Sequence, residues 1–230
     1  LSLTLLAVSG CGKVTPPAEL KQLPPGVYAW FDTNHGPIIA RLFPDKTPLA
    51  AANFIGLANG EQPYLDARAN RIVKGHYYDG LTFHRVVPDF VIQGGDPFGT
   101  GGGGAGYRFK NEIRPDLKFD KPGILAMANS GPDSNGGQFF MTFKPEPERD
   151  GHYTIFGEVV RGMEVAVEIS KVTINRFRQA QPLHPIIMKR VRVYTVAADG
   201  SVAPTPMPKV ENMPQPTLPT PTPTPTFMPK

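Results

Sequence analysis

The apolar residues of this chain come in short β-branched and aromatic runs, each stopped nearby by glycine, proline or aspartate. Leu81 to Val87 lies between Gly80 and Pro88, and Phe90 to Gln93 between Asp89 and Gly94. Gly123 to Met127 follows Pro122, Gln138 to Phe143 sits between Gly137 and Pro145, and Thr154 to Val160 ends ahead of Gly162. Runs this short suit strands joined by tight turns rather than helices. Val27 to Thr33 and Pro37 to Phe43 add two more, and Asn34-His35-Gly36 between them is a loop of hairpin length and chemistry. Ile186 to Val196 alternates, which places Met188, Arg190, Arg192 and Tyr194 on one face and Ile187, Val191 and Val193 mainly on the other.

Two segments read as helix. Asp45-Lys46-Thr47-Pro48 opens the first, with Asp45 or Thr47 as N-cap and Pro48 in the first turn, where its missing N–H costs nothing. Leu49, Ala52, Phe54, Ile55, Leu57 and Ala58 supply its buried face, and Gly60 ends it. Met163 to Ser170 is the second, while Glu61 to Gly75 is polar and aperiodic and reads as a surface loop. Many strands with two helices imply a mainly all-β barrel rather than an alternating α/β sheet.

At 230 residues and 40% hydrophobic, the chain supports one sizeable core. Its 24 Lys and Arg are interspersed with 20 Asp and Glu and form no long basic block, so nucleic acid is not an expected partner. Cys11 is the single cysteine, which excludes an internal disulfide, and the five histidines lack ligand spacing. No metal and no cofactor are expected, and the domain is expected to be monomeric.

The ends differ from the body. Leu1 to Val8 is nearly all apolar, and Val8-Ser9-Gly10-Cys11 resembles a bacterial lipobox, in which cleavage precedes the cysteine and its thiol carries lipid. Residues 1–10 read as part of a lipoprotein signal peptide and 11–26 as a tether, with Pro16-Pro17 and Pro24-Pro25. The folded domain is expected over 27–198. Ten prolines lie between Pro204 and Pro229, so 199–230 reads as a disordered Pro/Thr-rich tail that is partly polyproline II. Location at a cell envelope, lipid-anchored on the exported side of a membrane, is the corresponding expectation.

Phe83-His84-Arg85-Val86-Val87-Pro88, then Phe90-Val91-Ile92-Gln93-Gly94-Gly95-Asp96, Ala126-Met127-Ala128-Asn129 and Asn135-Gly136-Gly137-Gln138-Phe139-Phe140 form an ordered set. It resembles the cyclophilins, the peptidyl-prolyl cis/trans isomerases, over about Val27 to Ala197. The resemblance implies a closed antiparallel β-barrel capped by two helices, and an enzyme that speeds rotation about X-Pro bonds in proline-containing peptides and unfolded exported proteins. It implies Arg85 as catalytic hydrogen-bond donor and Gln93 as its support. Phe90, Val91, Phe140 and Tyr153 match the apolar proline pocket, Ala128, Asn129, Ser130 and Gln138 the substrate-backbone site, and Gly99 the groove edge.

Arg85 alone is open to another reading, a surface pair with Asp79 or Asp89, and pairs of that kind contribute about 0 to 1 kcal/mol. Alternation puts His84 opposite Arg85, a structural position. Gly99-Thr100-Gly101-Gly102-Gly103-Gly104 has a dinucleotide-loop spacing without the helix that such a loop requires, and reads as a flexible loop beside the pocket. Glu148, Arg149 and Tyr153 stand where many cyclophilins have tryptophan, leucine and histidine, which removes the tryptophan contact used by cyclosporin. A proline-peptide-binding chaperone or scaffold with little turnover is the second reading.

Overall fold

The computed structural model describes residues 15–175 and 177–218. The segment read as a lipobox, with Cys11, and the Thr-Pro repeat after Leu218 lie outside the described residues. In chain order the elements are β1 Gly26–Thr33, β2 Gly36–Leu42, α1 Pro48–Asn59, β3 Tyr64–Asp66, β4 Arg71–Val73, β5 Phe83–Val87, β6 Val91–Gly94, β7 Ile124–Met127 and β8 Phe139–Thr142. They continue with β9 Ile155–Arg161, α2 Met163–Ser170, β10 Ile174–Asn175, β11 Gln181–Pro182, β12 Met188–Val196 and β13 Val202–Pro204.

Nine strands form one antiparallel sheet in the order β13-β12-β1-β2-β9-β7-β8-β6-β5. The sheet curls until the start of β5 meets the start of β12, where Phe83 N donates to Ile186 O at 2.9 Å and Met188 N to Leu81 O at 2.8 Å. This closure leaves no open edge at that end, which agrees with the expected barrel.

Strand parity then divides the apolar residues between two places. Phe83, Ile92, Leu125, Met127, Phe139 and Met141 face the barrel core, with Phe31, Ile38, Phe156 and Val191. Their neighbours Val91, Ile124, Ala126, Phe140 and Ile155 form a second cluster on the outer face of the same strands. The functional pocket lies on that outer face.

Helix α1 is buried along Ala50 to Ala58, so the expected one-sided stripe is in fact an all-round burial. Pro48 occupies the first turn and Gly60, in the left-handed region at φ 84°, closes the helix. Thr47 holds the N-cap position as expected, but no side chain there makes the capping hydrogen bond. The free N–H groups of Leu49 and Ala50 donate to the Glu112 carboxylate at 3.0 and 2.8 Å, while the Thr47 hydroxyl donates to Ile155 O. A carboxylate from a remote loop satisfies both donors and complements the helix dipole.

Four further expectations are corrected. The pairing of β1 with β12 skips a residue, since Asp32 opposes Arg190 and Thr33 opposes Met188. That bulge turns Met188 into the core beside Val191 and Val193 and breaks the simple alternation. The 61–75 loop contains the β3–β4 hairpin. The tether is packed from Ala18 onward: a 3-10 turn over Ala18–Gln22 buries Leu20 among Tyr28, Ile39, Tyr194 and Val196.

The tail is also packed as far as it is described. β13 pairs with β12, then Thr205 N donates to Val193 O at 2.9 Å and Met207 N to the Glu61 carboxylate at 3.0 Å. Gln62 Nε2 donates to Pro214 O at 2.6 Å, and Thr217 N donates to Gly106 O at 3.2 Å. Proline lacks an N–H, but its carbonyl accepts, and every donor in this strap is a non-proline residue. Composition counts the prolines and misses the donors between them.

Candidate functional site

Arg85 reaches the outer face because β5 bulges. Phe83 pairs with Gly94 and Arg85 with Gln93, leaving His84 as the extra residue. Phe83 and Val86 therefore both point to the core while Arg85 is half exposed above β6. His84 is buried, and neither ring nitrogen finds a partner in bonding geometry among the described residues. Burial holds its pKa below the usual imidazole value, helped by the Arg85 charge and outweighing Asp96 and the Thr82 backbone. A neutral ring fills this space, in keeping with the structural role read from the sequence.

A chain of side chains leads away from Arg85. Its Nη1 lies 3.5 Å from Gln93 Oε1, Gln93 Nε2 donates to Gln138 Oε1 at 2.9 Å, and Gln138 Nε2 donates to Gly101 O and Gly103 O at 2.9 and 2.7 Å. The first contact is at the long limit for a hydrogen bond, and the others have ordinary length. Each amide has one orientation that serves both neighbours, so the glycine loop sets Gln138, Gln138 sets Gln93, and Gln93 faces its oxygen to the guanidinium.

The glycine loop is held in turn by Asp96, which is buried. Its carboxylate accepts from the N–H groups of Phe98 and Thr100 at 2.8 Å each and from Gly101 N at 2.6 Å. Burial opposes the charge, but these backbone donors outweigh it and hold the Asp96 pKa below the ordinary carboxylate value. The loop is thus fixed, against the expectation of a flexible one. Gly95 makes this turn possible: its φ is 87°, and a Cβ there would overlap the Gly137 carbonyl. Asp96 went unnoticed as a functional residue although it ends the Gly94-Gly95-Asp96 motif, because nothing local shows which amides it binds.

Two adjoining cavities result. One, of about 180 Å³, is lined by Arg85, Phe90, Val91, Gln93, Ala128, Asn129, Phe140, Arg149 and Tyr153. The other, of about 610 Å³, shares Gln93, Ala128 and Asn129 and extends along Gly101 to Gly104, Gly106, Tyr107, Ser130 and Gln138. The structure therefore brings together the expected site residues with one exception. Gly99 lines neither cavity and lies in the turn under Asp96, where Gly99 N donates to Asp96 O, and the groove edge is formed by Gly101 to Gly106 instead.

Arg149, one of the three positions at which the chain departs from the common family pattern, does form a wall of the smaller cavity. Its guanidinium lies over the Phe90 ring at 4.3 Å from the centroid and over that of Tyr153 at 5.7 Å, within cation–π range of both. Phe140 and Tyr153 meet edge to face at 5.3 Å and complete the apolar floor. Glu148 does not line this pocket; it is fully exposed and belongs to a separate cavity on the outer side of Arg149. Partial burial, then the nearby Arg149 charge, lowers the Arg85 pKa from its ordinary value, and both effects make its donors keener to meet an acceptor.

The arrangement offers an apolar slot with one cationic donor at its rim and no nucleophile paired with a base. It suits binding and polarising an amide without breaking it. The sequence matches the family model described as "Cyclophilin type peptidyl-prolyl cis-trans isomerase/CLD" over residues 28–193. Peptidyl-prolyl cis-trans isomerase A of Mycobacterium tuberculosis is 44% identical over 167 residues, 72% of this chain and 91% of that protein. Peptidyl-prolyl cis-trans isomerase B of Streptomyces anulatus is 42% identical over 171 residues, 74% of this chain and 97% of that protein. A Cryptosporidium parvum cyclophilin type peptidyl-prolyl cis-trans isomerase, crystallised in the presence of the dipeptide Ala-Pro, superposes with a TM-score of 0.60 at 35% identity, covering 71% of this chain and 96% of that one. Barrel, pocket and relatives agree, and the chain belongs to the cyclophilin family of peptidyl-prolyl cis-trans isomerases.

Proposed function

We propose that the 180 Å³ pocket takes the proline ring of an X-Pro peptide and that Arg85 drives rotation of the preceding bond. The observation that carries this reading is the chain of contacts from Arg85 through Gln93 and Gln138 to the glycine loop, set beside an apolar slot. The X-Pro bond is a tertiary amide whose conjugation raises a barrier of about 18 to 20 kcal/mol. Phe90, Val91, Phe140 and Tyr153 hold the ring and exclude water. The Arg85 guanidinium donates to the proline carbonyl and approaches the amide nitrogen, favouring the pyramidal nitrogen of the twisted state over the conjugated planar one. Asn129, Ala128, Ser130 and Gln138 hold the substrate backbone.

A million-fold acceleration requires about 8 kcal/mol. One preorganised donor contributes about 2.7 to 4 kcal/mol, so ring positioning and desolvation supply the rest. Arg85→Ala is expected to lower kcat/KM on a proline tetrapeptide by roughly 100-fold or more in a protease-coupled assay. Unchanged rates would remove Arg85 from the mechanism and leave a binding module.

The same reading places the enzyme at a cell envelope, held by lipid on Cys11 and acting on exported, unfolded chains. Its support is the Val8-Ser9-Gly10-Cys11 sequence. Labelled palmitate incorporated by the wild-type chain and not by Cys11→Ser in a bacterial host is the expected result, and equal labelling of the two refutes the anchor.

A further inference from the structure

The C-terminal strap ends at the substrate groove. Thr217 N donates to the carbonyl of Gly106, and Gly106 lines the 610 Å³ cavity whose far wall, Gln93, Ala128 and Asn129, also lines the proline pocket. Upstream, Pro214 is tied to Gln62, Met207 to Glu61, and β13 to β12, so the chain reaches this rim along a fixed course. Beyond Leu218 the sequence runs Pro219-Thr220-Pro221-Thr222-Pro223-Thr224-Pro225, four X-Pro bonds counting Leu218-Pro219.

We propose that this segment is an intramolecular substrate: its X-Pro bonds enter the enzyme's own pocket, are isomerised there, and compete with other proline peptides. The inference rests on the isomerase reading of the pocket. Reach supports it, because a polyproline II chain advances about 3.1 Å per residue, so the four to eight residues from Thr217 to Pro221 and Pro225 are long enough to span roughly 12 to 25 Å. The cavity that Gly106 lines shares Gln93, Ala128 and Asn129 with the proline pocket, so the two are continuous from that rim. Composition supports it as well: proline at every second position restricts the backbone before binding, so a chain of this composition loses less entropy on lying in a groove, and threonine adds no charge to repel Arg85 or Arg149. The repeat also makes occupancy degenerate, since a shift of two residues presents an equivalent bond.

A short tether gives an effective concentration on the order of 1 mM. A segment whose dissociation constant is near that value fills the groove about half the time, enough to raise the KM for an outside peptide about twofold while kcat stays the same. No residue of the site needs to move. The strap, which sequence composition presents as a loose end, then sets how much free substrate is needed to displace the tail.

Two measurements on the 230-residue chain test this. Exchange spectroscopy on labelled protein is expected to show cis–trans exchange at Thr220-Pro221, Thr222-Pro223 and Thr224-Pro225 at least about tenfold faster than the uncatalysed tens to hundreds of seconds. That rate should be unchanged on dilution and lost in Arg85→Ala. Exchange at the uncatalysed rate, or exchange that slows in proportion to dilution, overturns the intramolecular assignment. In steady state, a chain ending at Leu218 and the 230-residue chain carrying Pro219→Ala, Pro221→Ala, Pro223→Ala and Pro225→Ala should each show a KM for free proline tetrapeptide lowered about twofold, with kcat unchanged. An unaltered KM in both overturns the competition. If neither length turns over the free tetrapeptide, it is the isomerase assignment of the pocket that fails.

Discussion

Asp96→Ala tests whether the glycine loop sets the geometry of Arg85. The carboxylate accepts from Phe98 N, Thr100 N and Gly101 N, and the Thr100 hydroxyl is 3.3 Å from it. A hydrogen bond to a charged group contributes about 1.5 to 3 kcal/mol. Water can reach the half-exposed loop and replace part of this, so the three amides together should cost about 2 to 4 kcal/mol rather than their full sum. At about 2 to 4 °C per kcal/mol for a domain of this size, the melting temperature should fall by roughly 4 to 16 °C. The catalytic effect travels through Gln138, whose amide loses its two loop acceptors, Gly101 O and Gly103 O, and with them its fixed orientation toward Gln93. Loss of one hydrogen bond's worth of orientation, about 1.4 kcal/mol, is tenfold in kcat/KM. The assay is a protease-coupled comparison of a short and a long proline peptide at a temperature where the variant is folded, and both should slow. A variant that melts lower yet isomerises both peptides at the wild-type rate would show that the loop stabilises the fold without positioning Arg85, and the relay would be refuted.

Titration gives a contrasting pair. The His84 pKa is held below its unfolded value of about 6.5, so the unfolded state takes up a proton first. Stability should be complete above that pH and decline as the pH falls from it toward the lowered folded value; a pH series of thermal melts should show this slope, and His84→Leu should flatten it. The Asp96 pKa is also lowered, but for a carboxylate, so its contribution is present above the unfolded value of about 3.9 and lost only as the pH falls below that. Of the two, His84 is therefore the group whose contribution begins to fall just below about pH 6.5, and Asp96 the one whose contribution falls only below about 3.9. Glu112→Ala leaves the first-turn donors Leu49 N and Ala50 N without their carboxylate, and should cost about 1 to 2 kcal/mol. A melting temperature equal to wild type would mean that water caps α1 as well as Glu112 does.

Much of the fold was legible because strand runs and turn residues are local signals. The expected hairpin does form, joined by Asn34-His35 with Gly36 already paired opposite Thr33 as the first residue of β2, and the second helix spans Met163–Ser170 as its pattern indicates. Alternation failed where a bulge intervened, at Lys189, because an extra residue reverses parity and nothing in the local sequence marks it. The expected cap on α1 failed for a different reason. Thr47 has the right chemistry and position, but its hydroxyl is engaged by Ile155 O, 108 residues away, and Glu112 takes the cap from a loop whose approach no window of sequence contains.

The site divides along the same line. In strands, side chains alternate between faces, so the contiguous motifs carry core and site together: Arg85 and Val86, Ile92 and Gln93, Phe139 and Phe140 each pair a barrel-filling residue with one on the pocket face. A constraint from packing and a constraint from chemistry thus fall on adjacent letters, which is why those segments identify the family. Arg149 and the strap to Gly106 have no such partner next to them in the chain. Arg149 meets Phe90 through a 3-10 turn that only the closed barrel brings alongside β6, and Thr217 meets Gly106 only after the tail has crossed the end of α1. These contacts between distant loops bear on which peptides the pocket admits and how often it is free, whereas the strand motifs bear on what it does to a proline once bound. Variation at Arg149 and along the strap should therefore shift KM among peptides, and variation at Arg85 or Gln93 should lower kcat/KM for all of them.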